Sequence, residues 1–407
     1  MVKKIEIKRN SREKLLQILF LPMRAAWILI YIVFIFVVDL TLANEVSPLI
    51  RCLYHKDKQG VDYALQTLKE DPNQQYKGLS ALAFAIRHFP EVIPVLVQAG
   101  AEVNPLLETE GEISPLMLAA KESKQAVSIL LSLGARVDPR TVEGYTALTF
   151  AVVFNEDAIV PIFEAGADLN WRSSDDMPLL TLAAIHNPAA IEPLVQRGAK
   201  LYDESSSGGT PLMAALIRNP AAIAPLIKAG VDPNRPNSQG LTPLMVAISQ
   251  NRPAAMRLLK SGANVNAIRA GWSPLMVAAS CNPQMIARLV ELGADLEYEQ
   301  ESQLGLTPLL VAVCTNPESV RELLKAGANP EAANRLGCKP LAVANLHGNV
   351  EAIQWILEYL RKIPGLDVAE CKAEALRSDR KLEINKVEQW FVPDYKAAAA
   401  LLWERED

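Results

Sequence analysis

The sequence predicts an all-α chain, a helical solenoid made of stacked units of one kind. Two observations carry that prediction. A phrase of the form Gly-x-Thr/Ser-Pro-Leu recurs: GLTPLMVAI at Gly240–Ile248, GWSPLMVAA at Gly271–Ala279 and GLTPLLVAV at Gly305–Val313. A second marker, glycine followed by Ala or Val, recurs in phase with it at Gly100, Gly134, Gly166, Gly198, Gly230, Gly262, Gly293 and Gly327. Aligned on the residue before the phrase's leucine, the units fall at Pro48, Ala81, Pro115, Ala147, Pro178, Pro211, Pro243, Pro274, Pro308 and Pro340, in steps of 31 to 34 residues. A period near 33 means supersecondary units that bury their apolar faces only by stacking.

Taken from the N-terminus, the first 43 residues stand outside this pattern. Lys3, Lys4, Lys8, Arg9, Arg12, Lys14 and Arg24 precede an uncharged run, AAWILIYIVFIFVV, at Ala25–Val38. A basic lead, an apolar run and small residues at its end are the parts of a secretory signal. Thr41-Leu42-Ala43 then forms a cleavage site and Asn44 starts the mature chain. Extended to Leu42, the same run approaches the ~20 residues of a spanning helix. An uncleaved anchor over residues 25–42, in the inner membrane of a bacterial-type cell, is therefore the alternative. Either way the repeats lie outside the cytoplasm, periplasmic or extracellular.

The repeats occupy residues 44–361. In each unit Thr242, Ser273 or an equivalent caps a first helix, and proline takes its first position, where a missing N–H costs nothing. An apolar stretch with small alanines follows. Asn187-Pro188, Asn219-Pro220, Asn282-Pro283 and Asn316-Pro317 then break the chain and open a second helix. Patterns such as MIARLVEL make that helix apolar at i, i+3, i+4 and i+7. Glycine ends it in a left-handed turn.

These residues resemble the ankyrin repeat: G-x-TPL-x-x-A, a helix break, then LL-x-x-GA-x-x-N, seen most fully in GLTPLMVAISQNRPAAMRLLKSGANVNA at Gly240–Ala267. The resemblance covers about ten units from Ser47 to Arg361. It implies paired antiparallel helices with projecting turns, a concave protein-binding face and no cofactor. Two departures stand out. Met117, Met213, Met245 and Met276 replace the family's histidine, which ties the turn by hydrogen bonds. Asn-Pro mostly replaces Gly-His at the break.

Pro94, Pro161, Pro193 and Pro225 fall inside second helices. An interior proline loses a hydrogen bond and clashes with the preceding turn, at about 3 kcal/mol. Slightly bent second helices are the expectation. Residues 362–407 read as a helical cap or tail on the last unit.

The sequence offers no chemistry. The net charge is −5, which disfavours a nucleic-acid surface. Cys52, Cys281, Cys314, Cys338 and Cys371 lack zinc-ligand spacing. His55, His88, His186 and His347 read as solvated or capping residues. No Walker loop, GxGxxG or GxSxG is present. The expectation is therefore a non-catalytic scaffold whose partner is another protein. Its anchors are aromatic and arginine residues on turns and helix ends: Tyr145, Phe154, Trp171, Arg172, Arg218, Arg235, Gln250, Arg269 and Trp272, with Tyr145 and Trp272 read equally as packing against neighbouring turns. A host-directed, membrane-anchored effector, and an enzyme built on the C-terminal tail, are the alternatives.

Overall fold

The computed structural model describes residues 46–379, apart from 77, 106–112, 251 and 302–303. The signal or anchor expected over residues 1–43 and the tail expected beyond Asp379 fall outside these residues. The chain divides into two compact units, split between Arg136 and Val137.

The first unit holds α1 (Pro48–His55), α2 (Lys58–Gln66), α3 (Ala81–His88), α4 (Ile93–Gln98), α5 (Pro115–Glu122) and α6 (Lys124–Ser132). A two-residue antiparallel pair, β1 (Gln75–Tyr76) and β2 (Leu79–Ser80), leads into α3. The second unit holds α7 (Ala147–Phe154), α8 (Ile159–Glu164), α9 (Leu179–His186), α10 (Ile191–Gln196), α11 (Pro211–Arg218), α12 (Ile223–Lys228), α13 (Pro243–Gln250) and α14 (Arg252–Lys260). It continues through α15 (Pro274–Cys281), α16 (Ile286–Glu291), α17 (Pro308–Thr315), α18 (Pro317–Lys325), α19 (Pro340–Leu346), α20 (Val350–Leu360) and α21 (Val368–Asp379). Within each unit the odd-numbered first helices up to α19 pack in one row, and the second helices pack beside them.

The caps form as the sequence requires. The hydroxyls of Ser80, Ser114, Thr210, Thr242, Ser273 and Thr307 each accept the third helical N–H at 3.1 to 3.3 Å. The glycine markers hold φ between 86° and 105°, a conformation that Cβ-bearing residues avoid, so each stops its second helix there. Inside the row of first helices, the fifth residue is alanine from α3 to α19: Ala85, Ala119, Ala151, Ala183, Ala215, Ala247, Ala278, Ala312 and Ala344, all with 0% exposure. A side chain of one carbon lets neighbouring helices approach closely. The second residue of every first helix is a buried leucine, from Leu49 to Leu341.

This alanine column corrects the sequence alignment in the fifth unit. Pro178 is the N-cap there, and the helix starts at Leu179. The slip has a chemical trace. In α7, Thr149 Oγ1 accepts the Thr146 N–H at 2.8 Å, the bond that stands in for the family's histidine. Met117 Sδ does the same for the Ser114 N–H at 3.3 Å. In α9 the corresponding pair is Thr181 and Pro178, and proline has no N–H. Thr181 Oγ1 is buried without a hydrogen-bond partner. Thr181→Val is therefore expected to raise stability by about 1 kcal/mol, by removing an unsatisfied hydroxyl. Thr149→Val strips the acceptor from the half-buried Thr146 N–H and is expected to cost about 1 kcal/mol. Chemical denaturation of the two variants side by side checks the opposite signs.

The second helices that carry interior prolines split into two pieces. A short 3₁₀ turn precedes the α-helix at Pro90–Val92, Glu156–Ala158, Pro188–Ala190 and Pro220–Ala222. Each interior proline then lies in the first α-turn, where no intrahelical N–H is needed. The carbonyl of Pro90, which Pro94 cannot serve, accepts the Ile93 N–H instead. The tighter turn removes the conflict that bending was expected to relieve.

Asparagines tie successive repeats. Asn219, Asn282 and Asn349 donate from Nδ2 to Ile185 O, Ile248 O and Val313 O of the preceding first helix at 2.8 to 2.9 Å. On the loop side, the Asn266 amide donates to Gly293 O at 2.8 Å and accepts from Asp295 N at 3.0 Å. Asn73 and Asn104 make the same double clasp in the first unit. At the far end α21 packs against α19. Lys339 replaces the capping threonine, and its ammonium pairs with Glu374 of α21 and with Glu331, both at 2.9 Å. Those hydrogen bonds, to Glu374 first and Glu331 next, raise its pKa above the usual lysine value.

Candidate protein-binding surface

The turn residues of the second unit do not form one exposed set. Trp171 is 2% exposed, which corrects the expectation that it stands on the surface, and Trp272 is 4% exposed, in line with the packing alternative. Trp272 occupies the slot just before the N-cap, where Ile113, Met177 and Leu306 are buried too. An apolar side chain there staples the loop onto its helix. The turn beneath it is tight: Arg269 and Trp272 exchange both backbone hydrogen bonds, and Ala270 and Gly271 hold φ of 48° and 78°. Trp171 donates from Nε1 to Gly144 O at 2.8 Å and stacks on Tyr145, with ring centroids 5.9 Å apart. Its partners are therefore the chain's own turns.

The arginines divide. Arg172 is committed: its guanidinium pairs with Asp176 at 2.9 Å and with Asp203, and donates to Glu204 O at 3.0 Å. It ties one turn to the next and has little left for a partner. Arg235 is exposed and lies over the Tyr202 ring at 3.9 Å. Arg269 is exposed and donates to its neighbour Ile268 O. Arg218 is exposed and makes no hydrogen bond or ion pair among the described residues.

A different surface does come together, at the C-terminal edge of the first helices. Aromatic rings run along α7 from its turn to its end: Tyr145 lies 6.5 Å from Phe150, and Phe150 lies 6.1 Å from Phe154. Phe154, the eighth residue of α7, is 54% exposed. His186, Arg218 and Gln250 hold that eighth place in α9, α11 and α13. One residue earlier stand Val153, Ile185 and Ile217, each half-buried. On either side of these three helices the same place is polar, Arg87 and Lys121 before them and Ser249 and Ser280 after, while Tyr54, Cys314 and Leu346 hold it in α1, α17 and α19. Val153, Ile185 and Ile217 were missed from the sequence; three aliphatic residues at one place in successive units are the signal that could have found them. Of the residues singled out from sequence, Phe154, Arg218 and Gln250 share this edge. Tyr145 supports it from behind.

Catalytic groupings are a separate matter. Cys314 Sγ lies 3.6 Å from His347 Nε2. Burial pushes the thiol up to about 12 and pushes the imidazole down. Both shifts oppose a thiolate–imidazolium pair, so the thiol is not activated. Cys314 is expected to alkylate with iodoacetamide at pH 8 at least about a hundredfold more slowly than free cysteine. Labelling followed by peptide mass spectrometry measures it. All five cysteines are free thiols. Among the described residues no cluster of His, Cys, Asp or Glu has metal-holding geometry. A groove of about 690 Å³ lies between α10 and α12, lined by Pro188, Val195, Ala224 and Pro225. Its charged groups, Glu192 and Lys228, pair with each other at 3.1 Å.

Helical hairpins stacked through small side chains define a helical-repeat architecture. Residues 180–269, 218–300 and 275–367 match the family model described as ankyrin repeats. Ankyrin repeats are protein–protein interaction modules. A solved structure described as the ankyrin repeat domain of Bcl-3, a unique member of the IkappaB protein family, is similar to this chain at 22% identity. It covers 53% of this chain and 99% of its own, with a TM-score of 0.43. No curated protein matches the chain. No helix among the described residues is long and apolar enough to cross a membrane.

Proposed function

We propose that this chain is a non-catalytic scaffold of about ten ankyrin units that binds a partner protein along the first-helix edge of its second compact unit. One observation carries the reading: Phe154, with half its surface exposed, adjoins a row of half-buried Val153, Ile185 and Ile217. Interfaces draw their energy from a few aromatic and aliphatic anchors set in a polar rim, and Arg218 and Gln250 supply that rim. Tagged chain isolated from its native cells tests it. Phe154→Ala combined with Ile217→Asp is expected to lose a partner that the unaltered chain retains. Ala224→Glu, in the groove between α10 and α12, is expected to retain it. Equal recovery with all three chains would refute the assignment.

The apolar run over residues 25–42 supports export or membrane tethering, with the repeats outside the cytoplasm. A soluble form starting at Asn44 is expected if the run is a cleaved signal, and an intact N-terminus in the membrane fraction if it is an anchor. An intact N-terminus on a chain confined to the cytoplasm would contradict both.

A further inference from the structure

We infer that the row of Val153, Ile185 and Ile217 is built to receive an amphipathic α-helix of the partner, with apolar residues seven apart and acidic residues beside them. The inference rests on the binding reading above and specifies its partner. The three side chains hold the same place in α7, α9 and α11, so they repeat at the spacing of packed helices, about 8–10 Å. An α-helix rises 1.5 Å per residue, so residues seven apart are separated by about 10.5 Å. Seven residues also nearly complete two turns, with a drift of only ~20°, so successive contacts stay on one face. A strand covers about 10 Å in three residues, but its side chains alternate between faces, and every second contact points away. The repeat of the frame therefore matches a helix lying along the row and mismatches a strand. The row ends at Ser249, where the seventh place turns polar. Three apolar contacts, two heptads end to end, fill it.

Charge selects the flanks of that helix. Arg218 and His186 stand next to Ile217 and Ile185, and Arg218 has no counter-ion among the described residues. Two acidic groups, Glu156 and Asp157, stand at the break after α7, where the Asn187 amide donates to Glu156 at 3.1 Å, so the positive charge lies at the Arg218 end of the row. An arginine unpaired among the described residues, on a chain of net charge −5, favours an acidic residue opposite that end of the row. Phe154 closes one end of the row as an aromatic anchor.

Synthetic helical peptides and the full chain test this by fluorescence anisotropy. One peptide carries three leucines seven apart among glutamates, a second has the same composition with the leucines scattered around the helix, and a third has lysines for the glutamates. The first is expected to bind at least about tenfold more tightly than the others. Ile185→Asp is expected to weaken it about tenfold, with unchanged circular dichroism. Arg218→Glu is expected to weaken the acidic peptide and strengthen the lysine peptide, a reversal that misfolding does not produce. Equal affinities, no binding of the first peptide, or indifference to Ile185→Asp would overturn the inference. If these fail while Phe154→Ala with Ile217→Asp still loses the native partner, the surface stands and only the helical partner is wrong.

Discussion

Replacing Trp171 with alanine is expected to cost about 3–5 kcal/mol, the range for truncating a buried large aromatic side chain. Trp171 is 2% exposed, and its loss empties the space between two turns. It also removes the hydrogen bond to Gly144 O and the stack on Tyr145. Trp171→Phe keeps a ring and most of the volume, so its expected cost is smaller, about 1–2 kcal/mol, mainly the lost N–H bond and the gap it leaves. Denaturant unfolding separates the two. Because repeat arrays open locally, hydrogen exchange adds a second check: protection is expected to fall first in α7 and α9. A Trp171→Ala chain as stable as the parent would mean that the indole faces a partner after all.

Leucine in place of Ala278 is expected to be comparably severe. Ala278 belongs to the fully buried alanine column and lies in α15, packed between α13 and α17. Three extra carbons have no space to enter, and overpacking a tight core costs about 1–3 kcal/mol, at times more. Leucine at Ser280, two residues along and only half-buried, is expected to cost less than about 1 kcal/mol. Thermal unfolding compares them. Equal effects would mean that the first helices are not in close contact.

The contrast between these sites shows what the sequence makes legible. Caps, glycine stops and the alternation of two helices are local: Thr242 and Gly262 act through atoms within a few residues, so their pattern reads directly. The register slip at Pro178 arose because Pro-Leu occurs there one residue early, and only the alanine column, a property of neighbouring units, corrects it. The split second helices were missed because a 3₁₀ turn relieves a proline as well as a bend does. Trp171 was read as a surface anchor, and Trp272 as either an anchor or a packing residue, because turns are usually exposed. Their burial depends on the adjacent turn, which a single unit's residues do not report. Phe154 and Arg218 were found because helix ends project. Ile185 and Ile217 were not, because half-burial of an aliphatic residue follows from how far the next helix extends, not from its own sequence.

Site-specific photo-crosslinking tests the central claim most directly. A photoreactive amino acid is placed at Phe154, at Ile217 or at Ala224 in the full chain, and the chain is irradiated in its native cells. The account predicts the same partner protein attached at positions 154 and 217, and none at 224. Attachment at 224 alone, or no attachment at the first-helix edge, would contradict it.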